Sequence, residues 1–334
     1  MNNKLLFEFV RYKEWDRLGG AFTEFAQPLK IQISEERLAT IAVGIQWRLL
    51  SKDSCQFIFN SSIHHDKYLI CVARLALILP LIKAFHLSSH YLSGEIFISL
   101  DDWAQASGLT FCSNRQDSVL IPDGDFLHSY GYRQTMLDFM VNSPPWAMRK
   151  PVAFWRGNTT GVRQGESWRD LPRIQLCQIA RQSESQSLFD VGISAFAQVS
   201  KKEAKEIKAA GLVRDFVPIT DCVRSKYQID IDGNSNAWSG LFQKLLSGST
   251  VLKVDSPNQF RQWYYDKLVP WVNFVPVKSD LSDLVDKVHW LIAHDDEAQK
   301  IGLAGKELAL SLSYESELKN TILKINKALK HIEE

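Results

Sequence analysis

Apolar and polar positions alternate over short runs along most of this chain, and each run is bounded by Gly, Pro, Asn or Asp. Runs with a period of two read as strands at 30–34, 55–60, 94–100, 151–155 and 188–191, with short extended pieces at 110–113 and 118–122. Runs with the helical period fall at 66–86, 132–141, 172–181, 201–210, 281–293, 296–311 and 315–332. A Ser-Glu-Glu-Arg sequence from Ser34 has the form of a helix start and predicts a helix over 34–50. Residues 1–29 read as an irregular or helical lead-in. The segment 226–284 is the most ordered pattern. It runs from an apolar strand through a Gly-containing polar turn to an amphipathic helix. A second apolar strand, an aromatic cluster, a third strand and a turn leading into a helix follow. Strands alternating with helices imply α/β architecture and parallel sheet.

With 334 residues the chain exceeds one ordinary core, and two domains are expected. The break Asn142-Ser143-Pro144-Pro145-Trp146 divides an N-terminal domain, 1–145, from a C-terminal domain, 146–312, with a terminal helix at 313–334. A net charge of +1 and the lack of a basic stripe argue against a nucleic-acid partner. Five dispersed cysteines without CxxC spacing argue against both a disulfide framework and a zinc site, and they fit a reducing compartment. The first fifteen residues show no long apolar region and no small-residue cleavage site, so no signal peptide is expected. The most apolar stretch, 68–85, carries Arg74, Pro80 and Lys83, and is expected to be a buried core helix rather than a membrane span.

Candidate chemistry gathers after the strands. Arg156-Gly157-Asn158-Thr159-Thr160-Gly161 follows the 151–155 strand and offers flexible backbone, hydroxyls and a guanidinium, all suited to phosphate oxygens. It equally has the composition of an ordinary polar loop, and it is neither a Walker A sequence nor GxGxxG. Asp230 and Asp232 flank Ile231 and would share a strand face, but no third ligand accompanies them, so no metal site is expected. Gly233, Asn234, Ser235, Asn236 and Ser239 offer donors and acceptors for a sugar or phosphate, and Ser235 or Asn236 is the expected helix cap. Asp101-Asp102 ends the 94–100 strand, where a carboxylate can take a proton from a hydroxyl; solvated turn aspartates are the plainer reading. The histidines form no HExxH or ligand cluster, and no GxSxG elbow occurs. Trp263 and Trp271 are expected in the core.

Five blocks occur in one order: PVAFWRGNTTG, the 169–173 run RDLPR, KYQIDIDGNSNAWSG, LLSGSTVLK and WYYDKLVPWVNFVPVKSDLSDL. Together they resemble glycosyltransferase family 90, the capsule-associated and lipopolysaccharide-modifying group that also includes protein O-glucosyltransferases. The likeness covers about 150–295, is fainter over 94–125, and is nearer the bacterial branch. It implies a GT-B-like α/β fold, two Rossmann-like domains facing a central cleft. It also implies inverting, metal-independent transfer from a nucleotide sugar, expected to be UDP-linked, with no further cofactor. Asp102, followed by Trp103, matches the family's catalytic base, with Asp101 as the alternative. Donor binding is carried to Arg156, Gly157, Asn158, Thr159, Thr160, Arg173, Lys226, Asp232, Gly233, Asn234, Ser235, Asn236, Trp238, Ser239 and Lys253. Animal members have an Arg in the helix after the Asp-Gly turn. Here the run is Asn236-Ala237-Trp238-Ser239-Gly240, so Arg173, Lys226, Lys253 or the helix N-terminus must supply the positive charge. The implied acceptor is a glycan or lipid-linked glycan of lipopolysaccharide or capsule, at the cytoplasmic face of a membrane, with peripheral membrane contact open.

Overall fold

The computed structural model describes residues 29–40, 42–182 and 186–333; the 1–29 lead-in, apart from Leu29, lies outside them. The chain forms two compact units. The first comprises the residues up to Gly131 together with Arg261–Trp263 and the segment from Ser313 onward. The second comprises Tyr132–Phe260 and Tyr264–Leu312.

The first unit contains a six-stranded sheet built from β1 (Lys30–Glu36), β2 (Gly44–Ser51), β3 (Ser54–Asn60), β4 (Gly94–Ser99), β5 (Gly108–Thr110) and β6 (Ser118–Leu120). Their order is β1-β3-β2-β4-β5-β6. The helix expected over 34–50 is not formed. Ile45, Trp47 and Leu49 are all buried at a spacing of two, which suits a strand face and not a helix stripe. β2 pairs antiparallel with both β3 and β4, and Lys52-Asp53 makes the tight turn of a hairpin. The sheet is therefore mixed rather than wholly parallel. Helix α1 (His65–Leu87) packs through Phe85 on Trp47, ring centroids 5.3 Å apart, and through Tyr68 on Phe59. α1 is long and apolar enough to cross a membrane by length and composition, and a little over half of its apolar window is buried within the protein. α2 (Gly124–His128) follows β6, with Asp123 accepting from Phe126 N–H as its cap.

The second unit holds a five-stranded sheet of β7 (Lys150–Asn158), β8 (Phe189–Ala195), β9 (Ser225–Asp230), β10 (Thr250–Val254) and β11 (Val275–Val277). Every pairing is parallel, in the order β11-β10-β9-β7-β8. Around this sheet lie α3 (Arg133–Asn142), α4 (Pro172–Ile179), α5 (Lys201–Ala209), α6 (Ile219–Cys222), α7 (Trp238–Leu246), α8 (Leu284–Ala293) and α9 (Asp295–Ser311). Central strands buried on both faces read as continuous apolar runs, as Tyr227, Ile229, Val251 and Leu252 do here. α3 belongs to this unit, since Tyr132 at its start stacks on Phe242 of α7. The unit thus begins before the Pro144-Pro145 break that suggested a boundary at 146. The last helix, α10 (Tyr314–Glu333), belongs to the first unit, where Leu329 packs over Gly94 at the head of β4.

All five cysteines are buried and unpaired. Burial pushes the thiols of Cys55, Cys71 and Cys177 up to about 12. Trp263 is buried as expected, but Trp271 is exposed with φ of 63°, its ring edge on Trp290 and Lys287 above it.

Candidate functional site

In the second unit the loops leaving β7, β9, β10 and β11 surround a cavity of about 130 Å³. Ligands of open parallel sheets bind at this end of the strands. Val162 and Gln164 line the cavity from the β7 loop, Asp232 and Asn234 from the β9 loop, and Asp255 and Asn258 from the β10 loop.

Arg173, in the first turn of α4, ties two of these loops together. Its Nη1 donates to Asn158 Oδ1 and Thr160 Oγ1, both at 2.8 Å, and its Nε to the Asp232 carbonyl at 3.0 Å. Nη2 donates to the Ile231 carbonyl at 3.3 Å. Four of the guanidinium's five N–H groups are thereby used inside the protein. Burial presses the Arg173 pKa down, while Asp230 and Asp232 oppose that shift. Arg173 is thus a strut whose charge reaches the site more readily than its donors do. Asn158 Oδ1 also accepts from the Thr160 N–H and hydroxyl, which winds the β7 loop into a tight turn.

Gly233 sits against this strut. A Cβ there would lie 2.7 Å from Thr160 Oγ1 and 2.9 Å from Arg173 Nη2, so the position admits no side chain without displacing the strut. Gly233 N–H donates to the Ser235 carbonyl, and buried Asn236 donates through Nδ2 to Asp232 Oδ1 at 3.1 Å. The other Asp232 oxygen is buried without a hydrogen-bond partner among the described residues. Burial raises the Asp232 pKa, against the pull of Ser256, Lys253 and Asn236. Asp230, by contrast, is wholly buried and accepts from Lys244 Nζ at 2.8 Å.

α7 starts at Trp238, with Ala237 at the cap position in place of the expected Ser235 or Asn236. The Asn236 amide instead donates back to Asp232.

Several expected donor residues stand elsewhere. β7 continues through Asn158, so Arg156 and Gly157 lie within a strand, opposite Gly192 and Ile193 of β8, and not in a loop. Arg156 binds Asp190 of β8 through Nη2 and the Asp215 carbonyl through Nε, over the Phe154 ring. Thr159 is fully buried, and its hydroxyl both donates to and accepts from the Ala197 backbone. Lys226 lies at the opposite end of β9 from the cavity, about 13 Å of strand before Asp230. It pairs with Asp295, both carboxylate oxygens at 2.7 Å. Lys253 stands opposite Asp230 in register, at the cavity end of β10. Its Nζ lies 4.8 Å from the Tyr265 ring and makes no hydrogen bond among the described residues. Of the suggested sources of positive charge, Lys226 is committed to Asp295 and Arg173 to the two loops, whereas the Lys253 ammonium stands at the cavity end of β10.

The candidate base belongs to the first unit. Asp101 is buried and held by Lys67 Nζ at 2.8 and 3.1 Å. Asp102 accepts from Arg74 Nη2 at 2.6 Å, while Arg74 Nη1 fixes the Leu100 carbonyl. The Asp102 side chain is 29% exposed against 7% for Asp101, so Asp102 is the one a substrate can reach. Among the described residues no group of three or more His, Cys, Asp or Glu is placed to hold a metal ion.

Sequence reasoning missed Gln164, Asp255 and Asn258. Applying the strand-end rule to β10 as well as β9 would have found Asp255 and Asn258.

Residues 121–316, more than half of the chain, match the family model described as Glycosyl transferase family 90. Protein O-glucosyltransferase 3 of Homo sapiens is 31% identical over 236 residues, covering 65% of this chain and 43% of the relative. Protein O-glucosyltransferase 2 of Danio rerio is 32% identical over 234 residues, covering 64% and 43%. The chain thus spans less than half the length of these curated relatives. A solved structure, "Crystal Structure of TarM", aligns at a TM-score of 0.41 and 16% identity over 55% of this chain and 37% of its own, too slight a likeness to carry an argument. By the family match, this chain belongs to glycosyl transferase family 90.

Proposed function

We infer that the protein is an inverting glycosyltransferase of GT-B type that moves a sugar from a UDP-linked donor to a hydroxyl of a glycan acceptor. The observation that carries this reading is the strand-end cavity of the second unit. It is lined by Asp232, Gly233 and Asn234 of the β9 loop, which the neighbouring Arg173 strut ties to the β7 loop, and α7 begins four residues further on.

In this reading the α7 N–H groups and Lys253 take the donor diphosphate. Charge growing on the leaving phosphate is stabilised by groups already held in place, so no metal is required for that step. Polar side chains of the cavity take hydroxyls. Asp102 removes the acceptor proton, and the acceptor oxygen attacks the anomeric carbon opposite the leaving group. Arg74 orients the Asp102 carboxylate while leaving it partly exposed. The printed names of the relatives support sugar transfer to oxygen. The block pattern of the sequence supports a lipopolysaccharide or capsule glycan as acceptor, met at the inner face of a membrane.

The test is a thermal-shift panel of nucleotides and nucleotide sugars, with and without EDTA. Stabilisation by UDP or one UDP-sugar, surviving EDTA, is expected. Stabilisation that EDTA abolishes would refute metal independence. Binding of the donor with no transfer or hydrolysis under any acceptor would favour a nucleotide-sugar binding protein on the same fold.

A further inference from the structure

A second concavity lies wholly within the first unit. It is a groove of about 500 Å³ between α1 and α10, within the size range of small-molecule sites. Ala76, Leu79, Pro80 and Ala84 of α1 form its floor, and Tyr130 and Tyr314 stand at its edge. We propose that this groove binds the tail of an anionic lipid as a single molecule, with Lys83 meeting the headgroup. The proposal is independent of the donor site.

Three observations converge on it. A helix apolar all round is normally buried all round. α1 is apolar along its length, yet among the described residues only 56% of its apolar window is buried, and the remainder includes the groove. Such a face is more apolar than water contact alone would select.

The groove lining carries a cationic ammonium and no acidic side chain. Lys83 makes no hydrogen bond or ion pair among the described residues, His128 lies beside it in the lining, and no carboxylate lines the groove. Pro80 brings no N–H to the Ala76 carbonyl. An amphiphile with an apolar body and a negative end matches this distribution, whereas an apolar partner would leave Lys83 without a counter-charge.

The rim is held in an uncommon backbone conformation. Tyr130 has φ of 52°, costly for an aromatic residue, and its ring meets Tyr314 edge-on at 5.3 Å. A Cβ on neighbouring Gly131 would lie 3.2 Å from Tyr314 Cβ. Strain of this kind persists where the surrounding structure imposes it, and it gathers at binding sites.

The experiment is calorimetric titration of the intact protein, below micellar concentrations, with dodecyl phosphate, dodecyl maltoside and dodecyltrimethylammonium. One dodecyl phosphate per chain is expected, bound at least about tenfold more tightly than the cationic amphiphile. Each methylene removed from the tail should weaken binding about fourfold at most. Lys83→Glu should invert the headgroup preference, a result that a folding defect cannot imitate. Ala84→Trp should abolish binding of all three by filling the floor. Absence of saturable binding would overturn the proposal, as would affinities that neither variant moves. A concentration-dependent dimer lost in Ala84→Trp would assign the groove to a second copy instead.

Discussion

Two pairs of aspartates close strands in this protein, and their surroundings differ. In the first unit, Asp101 and Asp102 each have a cation from α1, Lys67 and Arg74 respectively. In the second, Asp230 has Lys244 in contact, whereas Asp232 accepts from the Asn236 amide and has no cation in ion-pair contact among the described residues. Three of the four carboxylates are therefore in direct contact with a cation. Burial raises the pKa of the fourth, against the pull of Ser256, Lys253 and Asn236. In the proposed function, the first setting suits a base that takes a proton from a substrate, and the second suits a group that meets a ligand.

The largest effect should come from the first pair. Asp102→Asn keeps the Arg74 hydrogen bond but cannot accept a proton, and transfer should fall by about 10²–10⁴-fold with nucleotide affinity nearly unchanged. Asp101→Asn should instead show itself in stability, through Lys67. Single-turnover transfer with parallel nucleotide titration checks this; a wild-type rate in Asp102→Asn would remove that residue from the chemistry.

Next in size is the strut. Arg173→Leu strips donors from Asn158, Thr160 and the Ile231 and Asp232 carbonyls at once, and should cost about 3 kcal/mol in urea denaturation. Arg173→Lys should recover only part, since an ammonium cannot span the fork. Full stability in Arg173→Leu would show that the loops are held by other means.

The smallest effect isolates Asp232. Its folded pKa lies above the ordinary value of an aspartate, so the folded state binds more protons between the two values. Stability contributed by this group is therefore withdrawn as pH rises through that window. Asp232→Asn should raise the melting temperature at pH 7, and the gain should vanish below about pH 4. A loss of stability at pH 7 would mean that the carboxylate is paired after all.

Much of the second unit was legible in the sequence because its signals are local. The order strand, Asp-Gly turn, helix, strand is written within 226–254, and β9, α7 and β10 follow it. The failures share a cause, which is dependence on residues far along the chain. Arg156 is claimed by Asp190, and Lys226 by Asp295 sixty-nine positions later. Neither partner is visible from the residue itself. Lys226 also shows that closeness in sequence to a loop is misleading on a strand, since each residue moves the chain about 3.3 Å away. At 34–50 a capping signal at Ser34 outweighed the alternation of Ile45, Trp47 and Leu49, although packing made the alternation decisive. Asp102 was found through family likeness, and its Arg74 partner could not be read from the sequence.

The assignment of α10 to the first unit bears on the order in which the protein is made. A chain emerging from the ribosome has every strand and helix of the second unit in hand by Leu312, whereas the first unit must wait for its final twenty-odd residues. The portion synthesised first is thus completed last. Until Ile322, Ile325 and Leu329 arrive, the apolar surface that buries them stands open. Nascent chains generally fold unit by unit from the N-terminus; here every element of the second unit has emerged before α10, which the first unit buries.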